Sequence, residues 1–249
     1  IQAGESMQQP GRYFANNLGG VISLLNAMLA FDVRRFVFSS SAAVYGDPER
    51  LPVEEDASVR PANPYGEAKA AVERLLSWYD SQCGLCYVSL RYFNAAGATE
   101  RLGEDHRPET HLIPNLFQVA LGQQDTFPLY GSDYPTPDGT CVRDYIHVSD
   151  LAGAHRLALD RCEVGSGVYN LGSGRGFSVR EVIEAARKTT GHPIPFQEGP
   201  RRPGDPAVLT ASYERARTEL GWEPEIGSLE EIIDSAWRWH RAHPQGYTG

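Results

Sequence analysis

Between Gly11 and Ala30, the apolar residues Phe14, Leu18, Val21, Leu25 and Met28 recur at intervals of three and four, which predicts an amphipathic helix. The run Phe36-Val37-Phe38-Ser39 then predicts a strand buried on both faces, as strands of parallel sheets are. Pro64 precedes the next helix. From Tyr65 to about Tyr79 the inward stripe Ala68, Val72, Leu75 and Leu76 predicts that helix, and Cys86 to Arg91 the strand after it. Alternating helices and buried strands predict an open parallel sheet wrapped by helices, with ligands beyond the carboxyl ends of the strands. Ser39 to Ser41 and Arg91 to Asn94 fall at two such ends.

After Asn94 the texture changes. Gly and Pro become frequent, and Phe127 to Tyr130 and Val168 to Leu171 predict short strands. Ser178-Val-Arg-Glu181 and Ser228-Leu-Glu-Glu231 have the spacing of capping boxes that open two helices. The predicted organisation is a sheet domain over residues 1–94 and a smaller lobe over 95–249, with about 144–160 returning to the sheet domain.

With 249 residues, of which 41% are hydrophobic, the chain has material for a full core and a second lobe. No stretch approaches the ~18 consecutive apolar residues of a membrane span, and no basic-then-apolar leader opens the sequence, so a cytoplasmic protein with no membrane partner is expected. The net charge of -9 argues against nucleic acid, whose phosphates require a basic face. An anionic small ligand remains compatible if cations gather locally, and Arg143 and the pair Arg201-Arg202 are the candidates. A single Cys83-Gly-Leu-Cys86 pair, with no second pair and no histidine at ligand spacing, reads as packing thiols rather than a metal centre.

Tyr65 and Lys69 lie four apart on the predicted helix and therefore share a face. An ammonium beside a phenol favours the phenolate and brings a pKa near ~10 closer to working pH, where a general base acts best. The serine run Ser39-Ser40-Ser41 lies at a neighbouring strand end, where a hydroxyl can hold the same substrate oxygen.

Phe36-Val-Phe-Ser-Ser-Ser-Ala-Ala-Val-Tyr-Gly46, Asn63-Pro-Tyr-Gly-Glu-Ala-Lys69 and Leu90-Arg-Tyr-Phe-Asn-Ala-Ala-Gly97 together resemble the extended short-chain dehydrogenase/reductase (NAD-dependent epimerase/dehydratase) family. Further matches run to the end of the chain: Gly4-Glu-Ser6, Asn16-Asn17, Asp138 to Val148, Tyr169-Asn-Leu-Gly172, Arg201-Arg-Pro-Gly-Asp205 and His243 to Tyr247. The resemblance implies a Rossmann-like α/β fold, a doubly wound parallel sheet with a smaller C-terminal substrate lobe. It implies a dimer, and interconversion of UDP-glucose and UDP-galactose through a 4-keto sugar with transient hydride transfer to bound NAD.

By that resemblance Tyr65 is the base, Lys69 its electrostatic partner and ribose anchor, and Ser41 the donor to the sugar 4-oxygen. Asn16 and Phe93 match cofactor contacts and Asn94 a substrate contact. Arg143 and Arg202 match the diphosphate clamp, Asp205 an acceptor for a sugar or ribose hydroxyl, and Leu112 with Pro128, Leu129 and Tyr130 the segments flanking uracil and ribose. His111 replaces an asparagine of some members and is expected to donate to phosphate with a pH-dependent charge. Leu209, at a gate where a small residue admits an N-acetyl group and an aromatic one excludes it, is of intermediate size and leaves N-acetylhexosamine use open.

One expected feature is missing from the sequence. No opening strand, glycine-rich turn and helix N-terminus for a dinucleotide pyrophosphate is present, and neither Gly172-Ser-Gly174 nor Gly19-Gly20 substitutes. The first βα units are therefore expected to be absent, and the chain to be a fragment of a longer enzyme. Two other readings compete with 4-epimerisation. Another NAD-dependent nucleotide-sugar epimerase or a dehydratase shares the fold, although Ser41-Ala-Ala-Val44 lacks the acid a dehydratase needs. A non-catalytic remnant is the third.

Overall fold

The computed structural model describes residues 3–247, which divide into two compact units. The first comprises Ile1–Phe93, Ala152–Leu171 and Ala211–Glu223, and the second Asn94–Leu151, Gly172–Thr210 and Pro224–Gly249. The break after Phe93 lies one residue before the boundary expected at 94. The segment returning to the first unit is Ala152–Leu171 rather than 144–160, and a second one, Ala211–Glu223, returns with it.

The first unit is built on a three-stranded, wholly parallel sheet in the order Arg35–Ser39, Cys86–Tyr92, Gly167–Leu171. Ser39 pairs with Leu90, and Arg91 with Asn170, so the serine run and Arg91 to Phe93 emerge at adjacent carboxyl ends. Over the sheet, Leu25, Phe38, Val72, Leu76 and Leu85 form a core against which Leu18, Val21 and Met28 pack. The predicted helical stripe of residues 11–30 is present but not as one regular helix: Pro10–Phe14 passes through a π-helical turn, Ala15–Gly19, into Gly20–Ala30. The next helix runs Pro64–Cys83, longer at its end than predicted, because Gly84 at φ 65 adopts the left-handed cap that a side-chain-bearing residue reaches only with strain.

The second unit holds Asn94–Ala96, Val142–His147, Gly176–Ser178 and Val208–Leu209 in one sheet, and a separate parallel pair, Phe127–Tyr130 with Phe196–Gly199. Its core gathers Leu116, Phe117, Ile183, Ile232 and Ile233 from the helices Leu112–Ala120, Val179–Thr190 and Leu229–Ala242. The Ser178 box is complete, each side chain capping the other's backbone. At Ser228 the hydroxyl accepts from Glu231 N but spends its own proton on the Glu231 carboxylate, at 2.7 Å. Among the described residues, no helix is long and apolar enough to cross a membrane.

Candidate active site

The helix that carries Tyr65 starts where the sequence dictates. Asn63 accepts from Gly66 N at 2.9 Å, and Pro64 takes the first turn, where its missing N–H costs nothing. Gly66 lets this helix end close on the chain after the first strand: a Cβ there would lie 2.4 Å from Ala43 O. Ala43 belongs to the short 3-10 turn Ala42–Val44, whose N-cap is Ser41, with Oγ accepting from Ala43 N at 3.2 Å. The close approach brings the Ser41 side chain beside Tyr65, where it favours the phenolate. The edge of Tyr13 closes the other side, with ring centroids 6.4 Å apart at 87°.

Lys69, one turn along, lies over the same space, with Nζ 5.8 Å from the Tyr65 ring centroid and 4.9 Å from that of Phe38. It donates to Ser39 O at 2.8 Å. The expected tuning is overturned. Burial pushes the Tyr65 hydroxyl up to about 12, with the Ser41 side chain opposing and Tyr92 and Tyr13 adding to the rise. Burial also lowers Lys69. Desolvation dominates both shifts, because burial penalises the charged form of each group. In this form Tyr65 is a phenol, and the Lys69 side chain beside it is bound to a backbone carbonyl.

Beneath the site is a layer that sequence reasoning missed. Ser40, fully buried, donates to Glu73 Oε1 at 2.5 Å, and Arg91 meets the same carboxylate with Nε at 2.9 Å and Nη2 at 2.5 Å. Arg91 Nη1 continues to Tyr45 Oη at 2.9 Å, and Tyr45 donates to Asn170 Oδ1 at 2.7 Å. Asn170 in turn bonds the Glu55 carboxylate and Val53 O. The signal was available: Tyr65, Lys69 and Glu73 are i, i+4 and i+8 on one helix stripe, and a carboxylate on an inward stripe demands a partner. Ser39 Oγ, at the same strand end, is 3.0 Å from His155 Nε2.

The remaining sequence-derived positions separate. Asn16 is exposed on the π-helical turn and bonds Asn17, while Phe93 is buried. Lys69, Tyr65 and Ser41 suit the nicotinamide-ribose end of a dinucleotide, since the amine spends one of its donors on Ser39 O and two remain for hydroxyls. The second unit does hold an anion-compatible group. Arg143 and Leu209 are in register on neighbouring strands. Arg143 Nη2 is buried with no hydrogen-bond partner among the described residues, 3.5 Å from Asp205 Oδ1. Arg202 stacks 4.3 Å over the exposed Tyr130 ring, whereas Arg201 is committed to Asp133 and Tyr134. The Tyr134 hydroxyl is likewise buried and unpartnered.

Asn94 is tied to Asp144 O at 2.9 Å, and Leu112 packs partly against the core. Leu129 turns its side chain into the core, 1% exposed, leaving Pro128 and Tyr130 outward, as the alternation of a half-buried strand requires. His111 differs from expectation. Its Nδ1 lies 2.8 Å from both the Glu104 and Glu109 carboxylates, which hold the imidazole up to about 9, so it stays protonated through neutrality instead of titrating there. Gly172-Ser-Gly174 is also accounted for: the N–H groups of Ser173 and Gly174 donate to the Asp144 carboxylate, at 2.7 and 3.1 Å. Cys86 lies beside Cys162, whose thiol burial pushes up to about 12.

Residues 2–172 match the model of the NAD dependent epimerase/dehydratase family. The UDP-glucose 4-epimerase of Halalkalibacterium halodurans is 55% identical over 249 residues, covering 98% of this chain and 75% of that protein. A crystal structure of a UDP-glucose 4-epimerase superposes with a TM-score of 0.95 at 49% identity, covering all of this chain and 77% of the other. The Bifidobacterium longum UDP-glucose 4-epimerase in complex with NAD+ and UDP gives a TM-score of 0.93 at 43% identity, covering 98% of this chain and 75% of that one.

Proposed function

The chain belongs to the NAD dependent epimerase/dehydratase family, and on that footing we propose that it inverts C4 of a UDP-hexose, interconverting UDP-glucose and UDP-galactose. The carrying observation is Ser41 beside Tyr65 with Lys69 one turn along, all on the first unit. NAD, when bound, supplies an acceptor for the C4 hydride and its donor on return.

This chain's residues do the rest. Tyr65 Oη takes the proton of the sugar 4-hydroxyl and restores it, and Ser41 donates to the same oxygen. With its hydroxyl held up to about 12, Tyr65 is protonated before catalysis, so the positive charge of Lys69 serves mainly to offset the anion as it forms. Lys69 also holds the ribose, and Asn16 and Phe93 contact the cofactor. In the second unit, Arg143 and Arg202 bind the diphosphate, with the orphaned Arg143 Nη2 supporting that assignment. Asp205 accepts from a hydroxyl, and Asn94, Leu112, Leu209 and the segment Pro128 to Tyr130 bound the sugar and uracil. The first unit serves as the NAD-binding part and the second as the substrate part.

A homodimer is supported by the exposed Leu24 and Trp78 on the helices Gly20–Ala30 and Pro64–Cys83, and a cytoplasmic location by the nucleotide-sugar chemistry. Incubation with UDP-galactose and NAD of the enzyme at the full length of its relatives tests the reading: UDP-glucose should appear, and Tyr65→Phe should slow it by roughly 10²–10⁴-fold, the usual worth of general acid–base catalysis. Full turnover in Tyr65→Phe, or no UDP-glucose from the folded full-length wild-type enzyme, would reject it.

A further inference from the structure

The segment Gly103 to His111 folds Glu104, His106 and His111 onto one point of the second unit. Glu104 Oε1 lies 3.3 Å from His106 Nε2 and 2.8 Å from His111 Nδ1, and one donor atom from each residue falls within 4.8 Å of the others. Neighbouring donors of a tetrahedral zinc ion bound at ~2.0–2.1 Å lie about 3.3 Å apart. The two imidazole rings are tilted at 49° with centroids 5.0 Å apart, so they do not stack face to face and exclude an ion between their nitrogens. His111 is held in place from outside the trio. The nearly buried Glu109 carboxylate accepts from the backbone N–H groups of Thr110 and His111, at 2.6 and 2.7 Å, and faces the His111 Nδ1.

We propose that Glu104, His106 and His111 form a binding site for a divalent transition ion of the zinc type. Two imidazole nitrogens and one carboxylate oxygen are borderline donors that suit zinc better than magnesium or calcium, which take oxygen shells. Three protein ligands leave a fourth position for water. The ion replaces the proton that His111 Nδ1 shares with the Glu104 and Glu109 carboxylates and adds a positive centre where Glu104, Asp105 and Glu109 gather. Because His111 caps the helix Leu112–Ala120, coordination ties the Gly103 to Thr110 segment to that helix. The proposal rests on the second unit alone and is independent of the catalytic assignment.

Metal-stripped full-length chain, carrying Cys83→Ser so that the exposed thiol does not compete, is titrated with Zn2+ by calorimetry and with Co2+ by visible absorption. One equivalent of Zn2+ is expected. Co2+ should show ligand-field bands of low coordination without a thiolate charge-transfer band. Loss of a second-shell partner commonly weakens a metal by about 10–100-fold, so His106→Ala and Glu104→Gln, which remove ligands, should each weaken Zn2+ by at least that much while circular dichroism stays unchanged. Should one variant fail to fold, the other carries the comparison. Absence of a bound equivalent, equal affinity in the variants, or a thiolate band would overturn the site.

Discussion

Replacing Glu73 by Gln removes the charge that the whole layer beneath Ser41 is built around. The carboxylate takes Arg91 through Nε and Nη2 and the Ser40 hydroxyl, and the two charged side chains are only 6% and 9% exposed. Water therefore cannot re-solvate the guanidinium once its counter-charge is gone. Removal of one partner from a buried pair costs about 3–5 kcal/mol. The amide keeps one acceptor oxygen, which places Glu73→Gln near the lower end, about 3 kcal/mol. In a protein of this size each kcal/mol moves the melting temperature by roughly 2–4 °C, so a fall of about 6–12 °C is expected by calorimetry. The urea midpoint should fall in parallel. The double variant Glu73→Met with Arg91→Met removes both charges, and should recover most of the stability, since apolar replacement of a buried pair is often neutral. The same variant leaves Ser40 without its acceptor and should not recover activity if the layer positions the serine run. A Glu73→Gln melting temperature within 2 °C of wild type would refute the reasoning, as would a double variant no more stable than the single one.

Other consequences follow from named contacts. Gly66→Ala adds a methyl 2.4 Å from Ala43 O in an otherwise favourable helical position. The gain of ~1 kcal/mol in helix propensity is outweighed by about 1–3 kcal/mol of overpacking, and separation of Tyr65 from Ser41 should lower turnover more than substrate affinity; a variant more stable than wild type would show that the approach is slack. Arg143→Lys loses the planar fork that matches a diphosphate, and UDP affinity measured by calorimetry should fall by roughly tenfold or more, against an unchanged value if Arg143 serves only Asp205. His147 is buried, with Nδ1 accepting from Ser149 N at 3.1 Å and Nε2 placed 3.0 Å from Ser235 Oγ, and burial lowers its pKa below 6.5. The unfolded chain therefore binds this proton more readily than the folded one. Its contribution is constant above pH ~6.5 and declines as pH falls from there toward the lower folded value. Unfolding free energies measured from pH 7.5 to 5 should show an acid slope that His147→Gln reduces, and an undiminished slope would reject the assignment.

The parts of the fold legible in the sequence are those where a local pattern names its own partner. Phe36-Val-Phe38 is apolar on both faces because the strand is covered on both, and Asn63-Pro64 states a helix start in the only terms a helix start has, an acceptor for free N–H groups and a residue that has none to free. The π-helical turn at Ala15–Gly19 carries no such mark, since its residues are ordinary helix residues and the apolar stripe continues through it. The reactive trio was visible by residue number, but its electrostatics were not. Spacing puts an amine and a phenol on one face and says nothing of how much water that face retains, which here reverses the expected effect on Tyr65. The same limit explains His111, whose charge is set by Glu104 and Glu109 through a loop conformation that no periodicity encodes.

Glu73 marks the point where closer reading was possible. Periodicity reports which residues share a face, and Tyr65, Lys69 and Glu73 share one. The presence of Val72 and Leu76 around Glu73 already implied that its carboxylate leaves water. A buried carboxylate must find a cation, and Arg91, the only charged residue in the apolar strand Cys86–Tyr92, is in the same position from the other side. Two misplaced charges, one on the helix that bears Tyr65 and one on the strand beside the serine run, are more economically explained by each other than separately. Their meeting fixes the register of that helix against that strand, and with it the distance from Tyr65 to Ser41.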